Sequence, residues 1–234
     1  MAWTYAQSKA GYGNMWAAAR IRAEQRQAAL KIASRAVANK SRYAAAASVA
    51  PGMPWWWVAA AHSLESGMSW TAHLHNGDTL ARRTTHVPAG RPAAGSPPFT
   101  WEESARDALT MPPHSLQSVP TWEIERCLYE WERYNGFGYV KRRINSPYLW
   151  SFTTLYDRGK YVSDGRFDAS AVSQQCGAVA IAKSIAEIEG APPVVIDLPV
   201  TSVEAAEPPA SPVRQVPEWD VIGWAVNLLK RVFS

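Results

Sequence analysis

Cysteine is scarce in this 234-residue chain, with only Cys127 and Cys176 present. Both fall in apolar-periodic segments far apart, so they read as buried thiols and not as a disulfide framework. No Cys-x-x-Cys pair offers a structural zinc site. No stretch reaches the roughly 18 uninterrupted apolar residues of a membrane span. The opening Met1-Ala2-Trp3-Thr4-Tyr5 lacks the charged region and apolar run of a signal peptide, so synthesis in the cytoplasm is expected, with any export by another route. There is no internal repeat, no Walker or dinucleotide glycine motif, no Gly-x-Ser-x-Gly and no His-Glu-x-x-His. The commonest nucleotide, serine-hydrolase and zinc-protease chemistries therefore have no sequence support.

What the chain does contain is a globular composition, 47% hydrophobic and 19% charged, with a large complement of 12 tryptophans. Tryptophans serve as core or as flat platforms for ligands with an apolar face, sugar rings among them. The net charge of +4 is unevenly distributed. Residues 1–50 carry eight Lys/Arg against Glu24 alone, whereas 51–190 carry thirteen against fourteen acids and 191–234 three against five. A basic strip from Lys9 to Arg42 can draw a protein to an anionic polymer, or simply solvate a helix face. Alanine dominates that strip and no aromatic residues interleave with its cations from Arg20 to Arg42, so nucleic acid is not an expected partner.

Periodicity predicts a mainly α chain. Residues 14–47 read as one long Ala-rich helix, and 54–66 as a Trp-rich helix with Pro54 near its first turn and Gly67 as its stop. Residues 67–100 are dense in Gly, Pro, His and Thr and read as a long irregular loop or small hairpin. Thr100 and Glu103 form a capping box for a short helix to about Leu109. Thr121 is expected to cap the next helix, which ends at Tyr134-Asn135-Gly136 and carries Glu123, Glu125, Glu130 and Glu132 on its wet faces. Residues 139–168 mix aromatics with turn residues, and a core helix is expected from Asp168 or Ser170 to Glu189, with Val172, Cys176 and Val179 inside. Residues 191–217 have linker composition. Residues 218–234 form an amphipathic stretch that suits a membrane surface, a protein partner or docking on its own domain.

One residue stands out chemically. Glu65 ends the Trp-rich helix in apolar surroundings, and burial disfavours the ionised form of a carboxyl. A carboxyl kept protonated near neutrality is what glycoside cleavage needs to protonate a leaving oxygen. The bland alternative is a helix edge that happens to hold a Glu before its glycine cap.

Glu65-Ser66 and Tyr134-Asn135-Gly136, in that order, carry a resemblance. The chain resembles the lysozyme-like superfamily, in particular phage-type cell-wall lysins related to goose-type lysozymes and soluble lytic transglycosylases. Longer strings strengthen it: Trp55-Trp56-Trp57 through Glu65-Ser66-Gly67, His73-Leu74-His75-Asn76-Gly77-Asp78, Pro98 to Ala105, and Asn145-Ser146-Pro147-Tyr148-Leu149-Trp150-Ser151. It spans roughly residues 10–190 and leaves the tail unexplained. The chain departs from the transglycosylase pattern, because the Gly-Leu-Met-Gln segment usual after the Glu is replaced by the His73–Asp78 string.

The resemblance implies an α+β lysozyme-like catalytic domain over 1–190, in which the 67–100 segment lines a saccharide cleft. The implied activity is cleavage of the N-acetylmuramic acid to N-acetylglucosamine bond of peptidoglycan, with glycan strands as partner, no cofactor, and the cell wall as place of action. Glu65 takes the general-acid role. Asp78 is our candidate for a second carboxylate that positions water, as in a lysozyme; in a lytic transglycosylase Glu65 acts alone and the muramic 6-hydroxyl closes an anhydro ring. Tyr134 and Asn135 carry over as groove residues, and Trp70, His73, His75, Asn76 and Tyr148 are candidate sugar contacts. His73-x-His75-x-x-Asp78 also has the residue types of a metal site, although hydrogen bonding within a polar loop is the expected use. The alternative is a wall-binding or virion protein that keeps the groove without turnover.

Overall fold

The computed structural model describes residues 3–163 and 165–190. The expected linker and terminal helix at 191–217 and 218–234 lie outside the described residues. Among the described residues the molecule is mostly helical, with one two-stranded antiparallel sheet, and no helix is long and apolar enough to cross a membrane.

The expected long N-terminal helix is three helices: α1 (Tyr5–Ala18), α2 (Arg26–Ala38) and α3 (Lys40–Ala47), with a short 3-10 turn at Ala23–Gln25. Alanine propensity alone favours continuation across residues 19–22. Tertiary pairing overrides it: Arg22 N–H donates to Phe152 O at 3.0 Å, Thr154 N–H donates to Arg20 O at 2.8 Å, and Ile21 bridges Thr153. These residues are extended because a neighbouring segment offers them hydrogen bonds.

The Trp-rich helix α4 (Trp55–Ser66) forms as expected, with Pro54 as its N-cap. It packs against α2, α3 and the last helix, α9 (Ala178–Ile188). Ala59, Ala60 and Ala61 are fully buried, which lets neighbouring backbones approach closely. Trp57 joins α4 to α6 (Ile124–Asn135): its indole N–H donates to Cys127 O at 3.1 Å, and Trp131 Nε1 donates to Trp57 O at 3.3 Å. The two fully buried rings stack at 13° with centroids 5.9 Å apart. Their indole N–H groups are thereby satisfied in an apolar core, as burial demands.

The capping box at Thr100 and Glu103 starts α5 (Trp101–Thr110). Helix α6 starts later than expected, with Glu123 and not Thr121 at the N-cap, and it ends at Gly136, whose φ of 92° suits glycine. Two one-turn helices follow, α7 (Gly138–Lys141) and α8 (Pro147–Trp150). The hairpin lies at β1 (Lys160–Ser163) and β2 (Arg166–Asp168), not in the 67–100 segment, where the pairing is a lone Ala72–Thr79 bridge. The last helix begins at Ala178, well after Asp168. Asp168 Oδ1 accepts the Ser170 and Ala171 N–H groups and Ala171 O accepts from Gly159, so the preceding residues cross in extended form. Val172 is accordingly exposed, while Cys176 and Val179 are buried as expected. Both cysteines are free and buried.

Candidate functional site

Helix α4 delivers Glu65 to the site through its termination. Gly67 adopts φ 60°, and the N–H groups of Gly67 and Met68 turn back to Ser63 O and His62 O at 3.1 Å each. Glu65 thus sits in a fixed last turn with its side chain buried, 7% exposed. Tyr148 Oη donates to its Oε1 at 2.9 Å. Burial pushes the carboxyl up to about 8, and the Tyr148 bond, which favours the charged form, pulls against that rise. At neutral pH the group is mostly protonated. It pairs a held acceptor oxygen with a proton to give.

Tyr148 is held by α8, which has Ser146 as N-cap and Pro147 in its first turn and packs between α6 and α9. Asn135, in the last turn of α6, reaches Ser146 Oγ at 3.5 Å. Tyr134 is buried, and burial raises its phenol well above the usual range, with the nearby Glu65 carboxyl adding to the rise once it ionises. Glu65, Tyr134 and Tyr148 are therefore brought together from three helices, with Asn135 tied to the start of α8 through Ser146. Gln175 joins them unforeseen: its Nε2 donates to Leu64 O at 2.6 Å, holding the residue before Glu65. Its only sequence signal would have been that the 169–177 segment is not helical.

A second buried acid was also missed. Glu125, Glu130 and Glu132 were expected on wet faces, yet all three are buried. The reason is that α6 is covered by α1 on one side and α8 on another. Glu130 is compensated by Arg126 and Arg133 at 3.3 and 2.5 Å. Glu132 has no such cation: its Oε1 lacks a hydrogen-bond partner among the described residues, and burial pushes it up to about 8. It lies within electrostatic range of the Tyr12, Tyr139 and Tyr148 phenols. A neutral carboxylic acid is the form that such surroundings tolerate.

The remaining candidates belong to a separate polar lattice that shapes the 67–100 segment. Asp78 Oδ2 accepts the Thr85 and His86 N–H groups at 2.8 and 3.0 Å, and Oδ1 lies 2.7 Å from His86 Nδ1. These bonds outweigh burial and hold its carboxyl down to about 2. His73 is fully buried between Ser104 Oγ and Arg82 O. His75, also fully buried, donates to Asp107 at 2.7 Å, and Asp107 takes both arms of Arg91 at 2.8 Å. Asn76 donates to His86 O and accepts from Asp78 N–H. The polar atoms of His73, His75 and Asn76 are thus engaged within the loop, apart from the Glu65 group, and their side chains are covered. Trp70 is likewise packed: Arg42 lies 3.9 Å over its ring, and His62 and Trp101 crowd it at 4.6 and 4.7 Å. The His73, His75 and Asp78 side chains face different partners, and among the described residues no three His, Cys, Asp or Glu groups are arranged to hold a metal ion.

Comparison with protein-family models, curated proteins and solved structures gave no match to this chain.

Proposed function

We propose that the chain is a peptidoglycan glycosidase that cleaves the β-1,4 bond between N-acetylmuramic acid and N-acetylglucosamine, with Glu65 as general acid. The observation that carries the reading is a carboxyl buried at a fixed helix end and held by one phenol, in surroundings that push it up to about 8. The Glu-Ser and Tyr-Asn-Gly resemblance supplies the substrate class. Glu65 passes its proton to the glycosidic oxygen as an oxocarbenium-like centre develops, and its conjugate base is then the local acceptor for the proton of the attacking hydroxyl.

The engagement of Asp78 by His86 and Thr85 favours the ending in which Glu65 acts alone and the muramic 6-hydroxyl attacks, forming a 1,6-anhydro product. A carboxylate that already organises its own loop is poorly placed to hold water. Glu65→Gln keeps the shape and the Tyr148 contact but has no acidic proton. It should lose at least about 100-fold in wall cleavage, the usual scale for a positioned acid, while still binding walls. Undiminished cleavage would remove Glu65 from the role, and a wild-type protein that binds but never cleaves would favour a wall-binding module. Mass spectrometry of digested wall reads the ending: anhydro ends mean transglycosylation and reducing ends mean hydrolysis.

A further inference from the structure

The linear charge count places the basic region between Lys9 and Arg42, but folding redistributes it. Five of the eight cations there are neutralised by acids from elsewhere: Lys9 by Glu123, Arg22 by Asp157, Arg26 by Glu187, Lys40 by Glu189 and Arg42 by Glu102. The opposite happens around α7 and the hairpin. Lys141, Arg142, Arg143, Arg158 and Arg166 are all exposed, and none has an ion-pair partner among the described residues. Nearby Asp157 is already bound to Arg22, and Asp168 uses Oδ1 to hold the Ser170 and Ala171 N–H groups while its charge offsets part of that of Arg166.

The segments that carry these cations pack against one another as one lobe. Arg142 Nε donates to Tyr161 Oη at 2.9 Å, and its guanidinium lies 4.5 Å over the Phe167 ring. Tyr139 Oη accepts the Tyr161 N–H at 3.1 Å. Gly159, between Arg158 and Lys160, packs near Ile144 and Phe167. The lobe also adjoins the candidate site by covalent connection. The segment carrying Lys141, Arg142 and Arg143 is the link between Asn135 and Tyr148, and Asn135 and Ser146 meet across its two ends at 3.5 Å.

We infer that this α7–hairpin lobe is an anion-binding surface that engages the carboxylates of the peptide stems on a peptidoglycan strand whose glycan lies at Glu65. The inference rests on the proposed activity for the identity of the strand. The charge complementarity stands on the unpaired cations themselves. A polymer with carboxylates at regular intervals matches several separated guanidinium and ammonium groups better than one point anion does. Such long-range attraction concentrates substrate and weakens with salt.

The test uses the full chain carrying Glu65→Gln, so that cleavage does not remove the binding partner. Co-sedimentation with insoluble wall sacculi is compared for that protein and for the same chain with Lys141, Arg143, Arg158 and Arg166 all changed to Gln. Arg142 is kept because it braces the hairpin, and circular dichroism checks that the variant is folded. The expected result is roughly tenfold weaker binding by the variant. The parent should show a matching loss on sacculi whose stem carboxylates have been amidated, and on raising salt from about 50 mM to about 500 mM. A control with Arg20, Lys31 and Arg35 changed to Gln, the unpaired cations of the N-terminal region, should bind nearly as the parent does. The inference is overturned if the lobe variant binds unchanged, if amidated and native sacculi bind equally, if the control falls as far as the lobe variant, or if vesicles of anionic phospholipid bind better than sacculi. Failure here leaves the cleavage test of Glu65 untouched, because that test reads product and not affinity.

Discussion

At the scale of single residues, the site is a contest between burial and one hydrogen bond. Burial drives Glu65 upward and the Tyr148 phenol opposes it. Removing the phenol in Tyr148→Phe should therefore raise the Glu65 pKa further. The alkaline limb of the pH profile for wall cleavage should move to higher pH, with a lower rate at neutrality because a weaker acid donates less readily. An unmoved limb would mean that the 2.9 Å contact does not control the proton. Glu65 was legible in the sequence because apolar neighbours and a glycine stop lie beside it in the chain. Glu132 was not, because the groups that bury it belong to α1 and α8, remote in sequence.

At the scale of elements, the position of α8 relative to α9 decides where Tyr148 points. Gly177, the N-cap of α9, lies against the α8 backbone: an added Cβ would meet Leu149 O at 2.6 Å and Ser151 N and O at 2.8 Å. Gly177→Ala must push the two helices apart, and should cost about 1–3 kcal/mol while lowering wall cleavage by loosening the Tyr148 contact. Gly11→Ala in α1, where nothing lies within 4 Å, is the contrasting case. Better helix propensity should stabilise it by about 0.5–1 kcal/mol with activity unchanged. Thermal melts of both variants, alongside wall-clearing rates, check the pair; a harmless Gly177→Ala would show that the junction yields. Elements whose ends are written locally, such as α4 with Pro54 and Gly67 and α5 with its capping box, were legible in sequence. The breaks around residues 19–22 and 169–177 were not, since hydrogen bonds from distant segments make them.

At the scale of the molecule, buried ionisable groups shape the pH dependence of stability. Glu65 and Glu132 have folded pKa values of about 8 against an ordinary 4.5. Their contribution is full below 4.5 and is lost as pH rises to about 8, because the unfolded chain releases protons that the fold retains. His62, lowered to about 4 chiefly by burial, works the other way: its contribution is present above 6.5 and lost as pH falls through 4. His75 is shifted in the same direction. The opposing slopes should give a melting temperature that is highest at about pH 5–6 and declines toward pH 8. Glu132→Gln removes one of the two declining contributions. It should flatten the decline by about half and stabilise the protein at pH 7 by on the order of 2–3 kcal/mol. Melting curves from pH 4 to 9 decide it. A decline as steep as in the wild type would show that Glu132 does not hold its proton in the fold.

Local chemistry by itself determined the helical class, the ends of α4 and α5, the free cysteines, and the choice of Glu65 as the residue to watch. Each depends on neighbours within a few positions, where apolar spacing, caps and glycine act directly. Only the tertiary structure decided that His73, His75, Asn76 and Asp78 build a loop while Tyr148 and Gln175 attend the acid. It also decided which carboxylates lose their water and which cations keep theirs. Solvation and pairing depend on what folds over a residue, and that is set by contacts between segments far apart in the chain.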